Sequence, residues 1–439
     1  MSQRAWIKRF PPARAAAITD ACARVNGDVE RVRQSYDLFP KLEHVAKLCY
    51  RAVKKGKARC IMGPNLVWLA RLGPWFVSYG DHLKEKWSAQ AQVYYTAGAN
   101  SQDLGRWFTA ALKDIGDRYG SVGIFEDDFT EFDGSQGPCA RWYLSARYAD
   151  HGAPKVVLRY ATAAMMRGGS RRGVRMRATA KRSSGDPDTS CGNTTLNADT
   201  HRYLLDAVCD DLGYPRDCWR MAVLGDDMIC VGPLAVVNEA CRRAPAYFLE
   251  LGLVAKPKVT TRPLAAEYCS GRFYQVARGG RVWGPKPGRW LAKSSWRLAG
   301  DFDIPDNEWV AAVRSGLYVD ASHVPILRLL GRPGPRVIRG NRPPSTGRET
   351  PSDAAMEELC ELYRIAPADL QELEQAVADT PFGGFVAHPL LDRILRADLE
   401  MEAGHPANNE NWLLAEGYDL LWPVSAPACA AQPDRWGSY

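Results

Sequence analysis

The sequence predicts an α+β body with a helical C-terminal region, and three observations carry that prediction. The segments "YGSVGIFEDDF" and "RMAVLGDDMICVG" hold β-branched and aromatic residues bounded by turn residues, the pattern of strands. Between them, "GNTTLNADTHRYLLDAVCDDLG" spaces its apolar residues helically and stops at a glycine, the pattern of a helix with its stop signal. At 439 residues the chain exceeds one ordinary core, so two or three subdomains are expected.

Taken in order, residues up to about Tyr50 read as helical with basic faces. "IMGPNLVWLARLGPWFVSYGDHLKEKW" contains turn residues among its tryptophans and reads as a mixed segment, not one long helix. "YGSVGIFEDDF" is a strand ending in acids, and "RMAVLGDDMICVG" is strand, turn, strand. "AYFLELGLVAKPKVT" reads as helix, turn, strand. "GRPGPRVIRGNRPPSTGRETPS" is rich in Gly, Pro and Arg, as a linker or exposed loop is. "DAAMEELCELYRIAPADLQELEQAVAD" returns to a helical pattern. No internal repeat is evident.

Composition narrows the class. Hydrophobic residues make up 46% and charged residues 24%, ordinary for a globular protein. No apolar run approaches the roughly 18 residues of a membrane span, and the N-terminus lacks a signal-peptide core, so a soluble intracellular protein is expected. The 12 cysteines and 7 histidines are scattered, without the spacing of a structural zinc site. The net charge is +7, but from Pro351 onward there are 16 acidic and 4 basic residues, which leaves about +19 on the rest. A body so basic suits a polyanionic partner. The charge concentrates in "RAVKKGKAR", with Arg51, Lys54, Lys55, Lys57 and Arg59, and in "MRGGSRRGVRMRATAKR", with Arg167, Arg171, Arg172, Arg175, Arg177, Lys181 and Arg182. Either run alone is equally a solvated face.

Two carboxylates, Asp226 and Asp227, sit inside an apolar hairpin, and a second acidic group, Asp128 and Asp133, closes an earlier strand. A carboxylate in apolar surroundings is costly unless paired, hydrogen-bonded or bound to a metal. A Gly-Asp turn pointing into water is the plain alternative. Acids at the end of one strand and the turn of a neighbouring hairpin can share one cation, and a Mg²⁺ ion would complete its octahedral shell with waters and phosphates. Between the acids, "SSGDPDTSCGNTTLN" puts Ser184 and Gly185 in a turn, then Thr189 and Asn193 on one face of the helix that follows. A hydroxyl and an amide aimed together can read a sugar; an ordinary N-cap with surface polar residues explains them too.

The order D-x4-D, S-G-x3-T-x3-N, G-D-D, here "DFTEFD", "SGDPDTSCGN" and "LGDD", resembles the palm of viral RNA-dependent RNA polymerases. "KKGKAR" is similar to the basic fingers motif, "LGLVAK" to the palm motif that carries a lysine, and "EYCSGRF" to the hairpin beside the thumb. Together these span about Arg51 to Tyr274, and the wording is most similar to tombusvirus-like and related positive-strand RNA virus enzymes.

The resemblance implies a right-hand fold of fingers, palm and thumb, with an antiparallel palm sheet flanked by helices. It assigns 1–50 to an N-terminal extension, 51–120 to fingers, 121–145 and 183–274 to palm, 146–182 to a fingers insertion, and 275–439 to the thumb and acidic helical end. Asp128 and Asp226, with Asp227 nearby, would hold Mg²⁺, for which Mn²⁺ could substitute. Asp127 competes by adjacency, but only Asp128 has the four-residue spacing to Asp133. Asp133 and Asn193, supported by Ser184, Gly185 and Thr189, would sense the ribose 2′-OH. Arg59 with Lys54, Lys55 or Lys57 would clamp the NTP triphosphate. Lys256 would donate a proton to pyrophosphate, and the run Arg171, Arg172, Arg175, Arg177, Lys181 and Arg182 would line an RNA channel.

The implied partners are RNA template and product, NTPs, and other viral or host replication factors, in host cytoplasm or on membranes reached through a partner. The acidic end could cover the basic channel, bind a partner or be a solvated helical surface. A reverse transcriptase is the nearest rival, but it would place a bulky residue at Asp133 and an aromatic before the acid pair. A non-catalytic RNA-binding protein would explain the basic body and not the order of the acids.

Overall fold

The computed structural model describes residues 1–25, 35–41, 60–162, 165–171, 173–294, 304–333, 348–381 and 388–399. The basic run Arg51, Lys54, Lys55, Lys57 and Arg59 lies outside the described residues, as does Arg172. The architecture is mixed α+β. Two compact units divide it: Met1–Lys41, Ala58–Ala97 and Ala110–Cys269 belong to one, Gly98–Thr109 and the chain from Ser270 to the other.

The chain opens with α1 (Gln3–Ile7), α2 (Pro12–Arg24), β1 (Tyr36–Pro40), β2 (Cys60–Pro64), α3 (Leu66–Lys86), β3 (Val93–Tyr95) and α4 (Ser101–Tyr119). It continues with β4 (Val122–Asp127), α5 (Phe132–Ser135), α6 (Pro138–Asp150), α7 (Lys155–Ala161), β5 (Met165–Gly169), β6 (Arg175–Thr179) and α8 (Thr189–Leu212). Next come β7 (Arg220–Leu224), β8 (Asp227–Pro233), α9 (Leu234–Glu250), β9 (Lys258–Thr260) and β10 (Glu267–Tyr268). Beyond them lie β11 (Gly271–Gln275), β12 (Arg281–Pro285), α10 (Pro287–Ser294), α11 (Asp306–Asp320), α12 (Asp353–Tyr363), α13 (Pro367–Asp379) and α14 (Pro389–Asp398).

The sheet that positions the acids has the order β3-β7-β8-β4-β9. Its two central strands read as near-continuous apolar runs because both faces are covered: Ile124, Phe125, Met228, Ile229, Cys230 and Val231 are all buried. Helices α8 and α9 pack against each other, α9 against β4 and β8, and α8 against β7. The pairs β7–β8, β8–β4 and β4–β9 are antiparallel, as expected for this sheet. The edge strand β3 departs from that expectation: it runs parallel to β7, with Val93 opposite Met221. The long connection between them, α4 through α8 with β4, β5 and β6, leaves ample chain for the crossover that parallel pairing needs. A second sheet, β2-β1-β5-β6, belongs to the same unit.

Two element expectations are corrected. Tyr36–Pro40 is a strand paired with β2, not a continuation of basic helix; alternating Tyr36 and Leu38 are its buried positions. The segment read as mixed opens in β2 and then continues as one helix, α3, which runs through Pro74 without a break. Asn65 caps it, its side chain accepting from Trp68 N at 3.1 Å. Gly73 lies so close beneath the Trp6 ring that a Cβ there would come within 2.3 Å. Burial of Phe76, Tyr79 and Leu83, at about 1.5–3 kcal/mol each, offsets the roughly 3 kcal/mol that an interior proline costs.

In the second unit three acids of the C-terminal helices are used internally, while Asp353, Glu357, Glu361, Glu372 and Asp379 stay exposed. Glu358 pairs with Arg281 at 2.5 Å, Glu374 with Arg328 at 2.7 Å and Asp398 with Arg272 at 3.4 Å. Buried Asp398 also accepts from Tyr363 Oη at 2.7 Å and Gly288 N at 2.8 Å. The expected helical pattern of this region is present as α12 and α13, broken where Arg364 takes a left-handed backbone before Pro367. Among the described residues, no helix is long and apolar enough to cross a membrane.

Candidate functional site

The hairpin β7–β8 closes with Leu224 opposite Asp227, so Gly225 and Asp226 form a two-residue turn. Gly225 has φ of 66°, a conformation glycine reaches without the Cβ penalty. The neighbouring strand β4 ends with Asp127 opposite Met228. One residue further on, Asp128 comes beside the turn that carries Asp226 and Asp227. Their proximity has an electrostatic consequence: burial first, then the charges of Asp226 and Asp128, push the Asp227 carboxyl up to about 7. Hydrogen bonds from the Cys269 thiol and backbone N–H act in the opposite direction.

Adjacent Asp127 and Asp128 have different surroundings. Asp127 is buried. Its Oδ2 lies 3.2 Å from His201 Nε2, and its Oδ1 accepts from Lys256 N at 2.8 Å. Asp128 is turned outward, its side chain 60% exposed, with Lys256 Nζ 3.7 Å from its Oδ2. The backbone carbonyl of Asp128 also accepts from Lys256 N at 2.8 Å. Asp127 therefore fastens the strand end, while Asp128, Asp226, Asp227 and Lys256 share one face.

Helix α8 ties the acidic segments together through residues that sequence spacing alone did not single out. Thr194 Oγ1 accepts from Gly225 N at 2.8 Å, and Asn197 Nδ2 donates to the carbonyls of Gly225 at 3.0 Å and Asp226 at 2.9 Å. One turn on, His201 meets Asp127. One turn back, Asn193 Nδ2 donates to Asp133 Oδ1 at 2.7 Å. From Asn193, already singled out, positions 197 and 201 follow at helical i, i+4 spacing and 194 lies i, i+3 from 197, which is the signal that could have found them. Cys269, two residues past Glu267, had no such signal.

The loop before α8 is built on backbone contacts. Gly185 N donates to Met62 O at 3.1 Å, and a Cβ on Gly185 would come within 2.4 Å of that oxygen, which is why this position is glycine. Ser184 Oγ donates to Cys60 O at 3.4 Å, and Thr189 Oγ1 donates to Ser183 O at 2.6 Å. Thr189 thus locks the loop that leads into α8.

Of the basic run, Arg182 is corrected outright. It is 1% exposed, pairs with Asp188 at 2.5 Å and cannot meet a polyanion in solvent. Asp188 is held ionised by the Arg182 and Arg141 guanidiniums despite its burial. Neighbouring Asp186 is pushed up to about 6 by burial and by Asp188. Lys181 is half-buried. Arg167, Arg171, Arg175 and Arg177 remain exposed on the β5–β6 hairpin, with Arg167 directly opposite Arg177. Like charges facing each other across strands are unfavourable, a cost a polyanion would relieve.

Whether the acids fit a divalent ion can be tested on their chemistry. Three carboxylates supply hard oxygen donors of the kind Mg²⁺ takes, and Asp227 is raised by burial first and then by the charges of Asp226 and Asp128. Among the described residues, no three His, Cys, Asp or Glu side chains stand at ligand distance of a common point; Asp128 is turned instead toward Lys256. The oxygen donors are of the kind such an ion takes, but among the described residues no ligand shell is preformed.

Compared with known proteins, the chain matches no protein-family model and no curated sequence.

Proposed function

We propose that this chain is an RNA-dependent RNA polymerase that copies a viral RNA genome, joining NTPs to an RNA 3′-OH with release of pyrophosphate. The single observation that carries the reading is the gathering of Asp128, Asp226 and Asp227 at adjoining strand ends, where Asp227 rises to about 7. A buried carboxyl with two further acids beside it is what a cation-binding centre accumulates. In this reading the five-stranded sheet is the palm, the β5–β6 hairpin belongs to the fingers, and the unit from Ser270 onward supplies the thumb.

Asp128, Asp226 and Asp227 would hold Mg²⁺, or Mn²⁺ in its place. When bound, the ions lower the pKa of the attacking hydroxyl and neutralise charge on the phosphates. The remaining work falls to the chain's own groups. Asn197 and Thr194 keep the Gly225-Asp226 turn rigid, so its carboxylate need not reorganise as the reaction proceeds. Lys256, beside Asp128, carries a proton toward the departing pyrophosphate. Asp133 accepts from the ribose 2′-OH while Asn193 holds it in place, and a deoxyribose leaves that polar pair unmatched. Arg167, Arg171, Arg175 and Arg177 meet RNA phosphates without reading sequence. Work in the host cytoplasm, with other viral or host factors providing any membrane recruitment, completes the proposal.

The test is incorporation of labelled NTPs by purified protein on a heteropolymeric RNA template, with Mg²⁺ or Mn²⁺, with and without a primer. Template-dependent product of complementary sequence is the expected result. RNA binding with no product under any of these conditions would overturn the proposal.

A further inference from the structure

We infer that Gln136 and Arg182 are positioning residues that fix which way the Asn193 amide faces, and so set the preference for ribose at Asp133. The inference rests on the polymerase reading above. It starts from an asymmetry in hydrogen-bonding chemistry. The oxygen and nitrogen ends of an amide have nearly the same shape, so its orientation is decided by its partners. A guanidinium only donates.

Four side chains form a directed series. Arg182 Nε donates to Gln136 Oε1 at 3.3 Å, Gln136 Nε2 donates to Asn193 Oδ1 at 2.9 Å, and Asn193 Nδ2 donates to Asp133 Oδ1 at 2.7 Å. Because Arg182 cannot accept, Gln136 must turn its oxygen toward it. Gln136 then presents its NH₂ to Asn193, which presents its own NH₂ to Asp133. The series ends on a carboxylate, which only accepts, so the polarity is consistent from end to end. Gln136 and Arg182 are each 1% exposed and Asn193 is 4% exposed, so water does not offer alternative partners.

The origin of the series is itself anchored. Arg182 pairs with Asp188 at 2.5 Å, and Asp188 accepts from Tyr148 Oη at 2.8 Å. The Arg182 backbone N–H also donates to Asp133 O at 3.3 Å, so one residue sets both the main chain at Asp133 and, through two amides, its side-chain partner. The outcome at the sugar is a defined pair. Asp133 has one oxygen occupied by Asn193 and the other to accept a hydroxyl proton, and the second Asn193 N–H can donate to the same hydroxyl.

Reversing the polarity tests this. Gln136→Glu keeps the length and the bond from Arg182 but has no proton to give Asn193, whose NH₂ must swing toward the introduced carboxylate and leave its oxygen facing Asp133. The ratio of kcat/KM for ribonucleotides over 2′-deoxyribonucleotides is expected to fall at least 10-fold. Gln136→Leu, which breaks the series without adding charge, should lower it similarly. Adding Asp133→Asn to Gln136→Glu lets the side chain at position 133 donate to the turned Asn193 and still accept from the sugar, and should restore much of the ratio. Equilibrium binding of GTP against 2′-deoxyGTP gives the same comparison without turnover, and thermal unfolding shows which variants fold.

A ratio unchanged in both folded single variants, or one that falls equally in the double variant, would overturn the inference while leaving the polymerase reading intact. A wild-type protein that incorporates no nucleotide would overturn the polymerase reading, and this inference with it.

Discussion

Asp227 offers a test of the acidic centre that needs no substrate. Burial and the charges of Asp226 and Asp128 raise its carboxyl from an ordinary 3.8 to about 7. A carboxyl raised in the folded state binds its proton more tightly there than in the unfolded chain. Its contribution to stability is fullest below the ordinary carboxylate pKa, is lost as pH rises from about 4 to about 7, and is flat above that. At about 1.4 kcal/mol per unit, the penalty in wild type relative to a group that cannot ionise is about 1 kcal/mol at pH 4.5, about 3 at pH 6 and about 4 at pH 8. Asp227→Asn removes the ionisation and keeps one acceptor for Cys269. Urea unfolding of both proteins, with a chelator present, should give a variant more stable than wild type by a margin that widens over this range. Millimolar Mg²⁺ at pH 8 should then stabilise wild type more than the variant and narrow the gap. A margin independent of pH, or a variant less stable than wild type at pH 8, would refute the raised Asp227 carboxyl on which the acidic centre is argued.

Four more outcomes follow from the geometry. Thr194→Val leaves the Gly225 N–H without its acceptor, which costs about 1–3 kcal/mol of stability; incorporation should drop 10-fold or more with NTP KM little changed, as steady-state kinetics would reveal. Replacing both Arg167 and Arg177 with Ser should weaken RNA binding and reduce the slope of log affinity against log salt by about 1.4. By contrast, Arg182→Met, which removes the ion-pair partner of buried Asp188, should destabilise by about 3–5 kcal/mol while folded molecules bind RNA as wild type does. Lys256→Leu should slow incorporation by about 10²-fold in a single-turnover assay, and a rate within a few-fold of wild type would make Lys256 a plain partner of Asp128.

What could be read in the sequence was set by local rules. The acids at the end of β4, the Gly225-Asp226 turn and the helix stopping at Gly213 all follow from period, turn chemistry and capping, which act over a few residues. What could not be read depended on distant partners. Pro74 reads as a break until Trp6 and the buried face of α3 are present to hold the helix together. Arg182 is indistinguishable from Arg175 or Arg177 in a basic run, and only the fold supplies Asp188 to bury it. Tyr36–Pro40 becomes a strand because β2 and β5 pair with it. Choosing Asp128 over Asp127 was possible from the spacing to Asp133, but the work of Asp127, fastening His201 and Lys256 N, was not. The same holds for Thr194, Asn197 and Gln136, whose polar side chains look ordinary until the turn and the second amide come within reach.

The most direct test of the central idea is the behaviour of Asp226→Asn at the tip of the hairpin. The account predicts that it binds RNA with wild-type affinity, is at least as stable as wild type near neutral pH because one charge raising Asp227 is gone, and incorporates no nucleotide at any Mg²⁺ concentration. Incorporation at an undiminished rate would mean that this carboxylate takes no part in the chemistry.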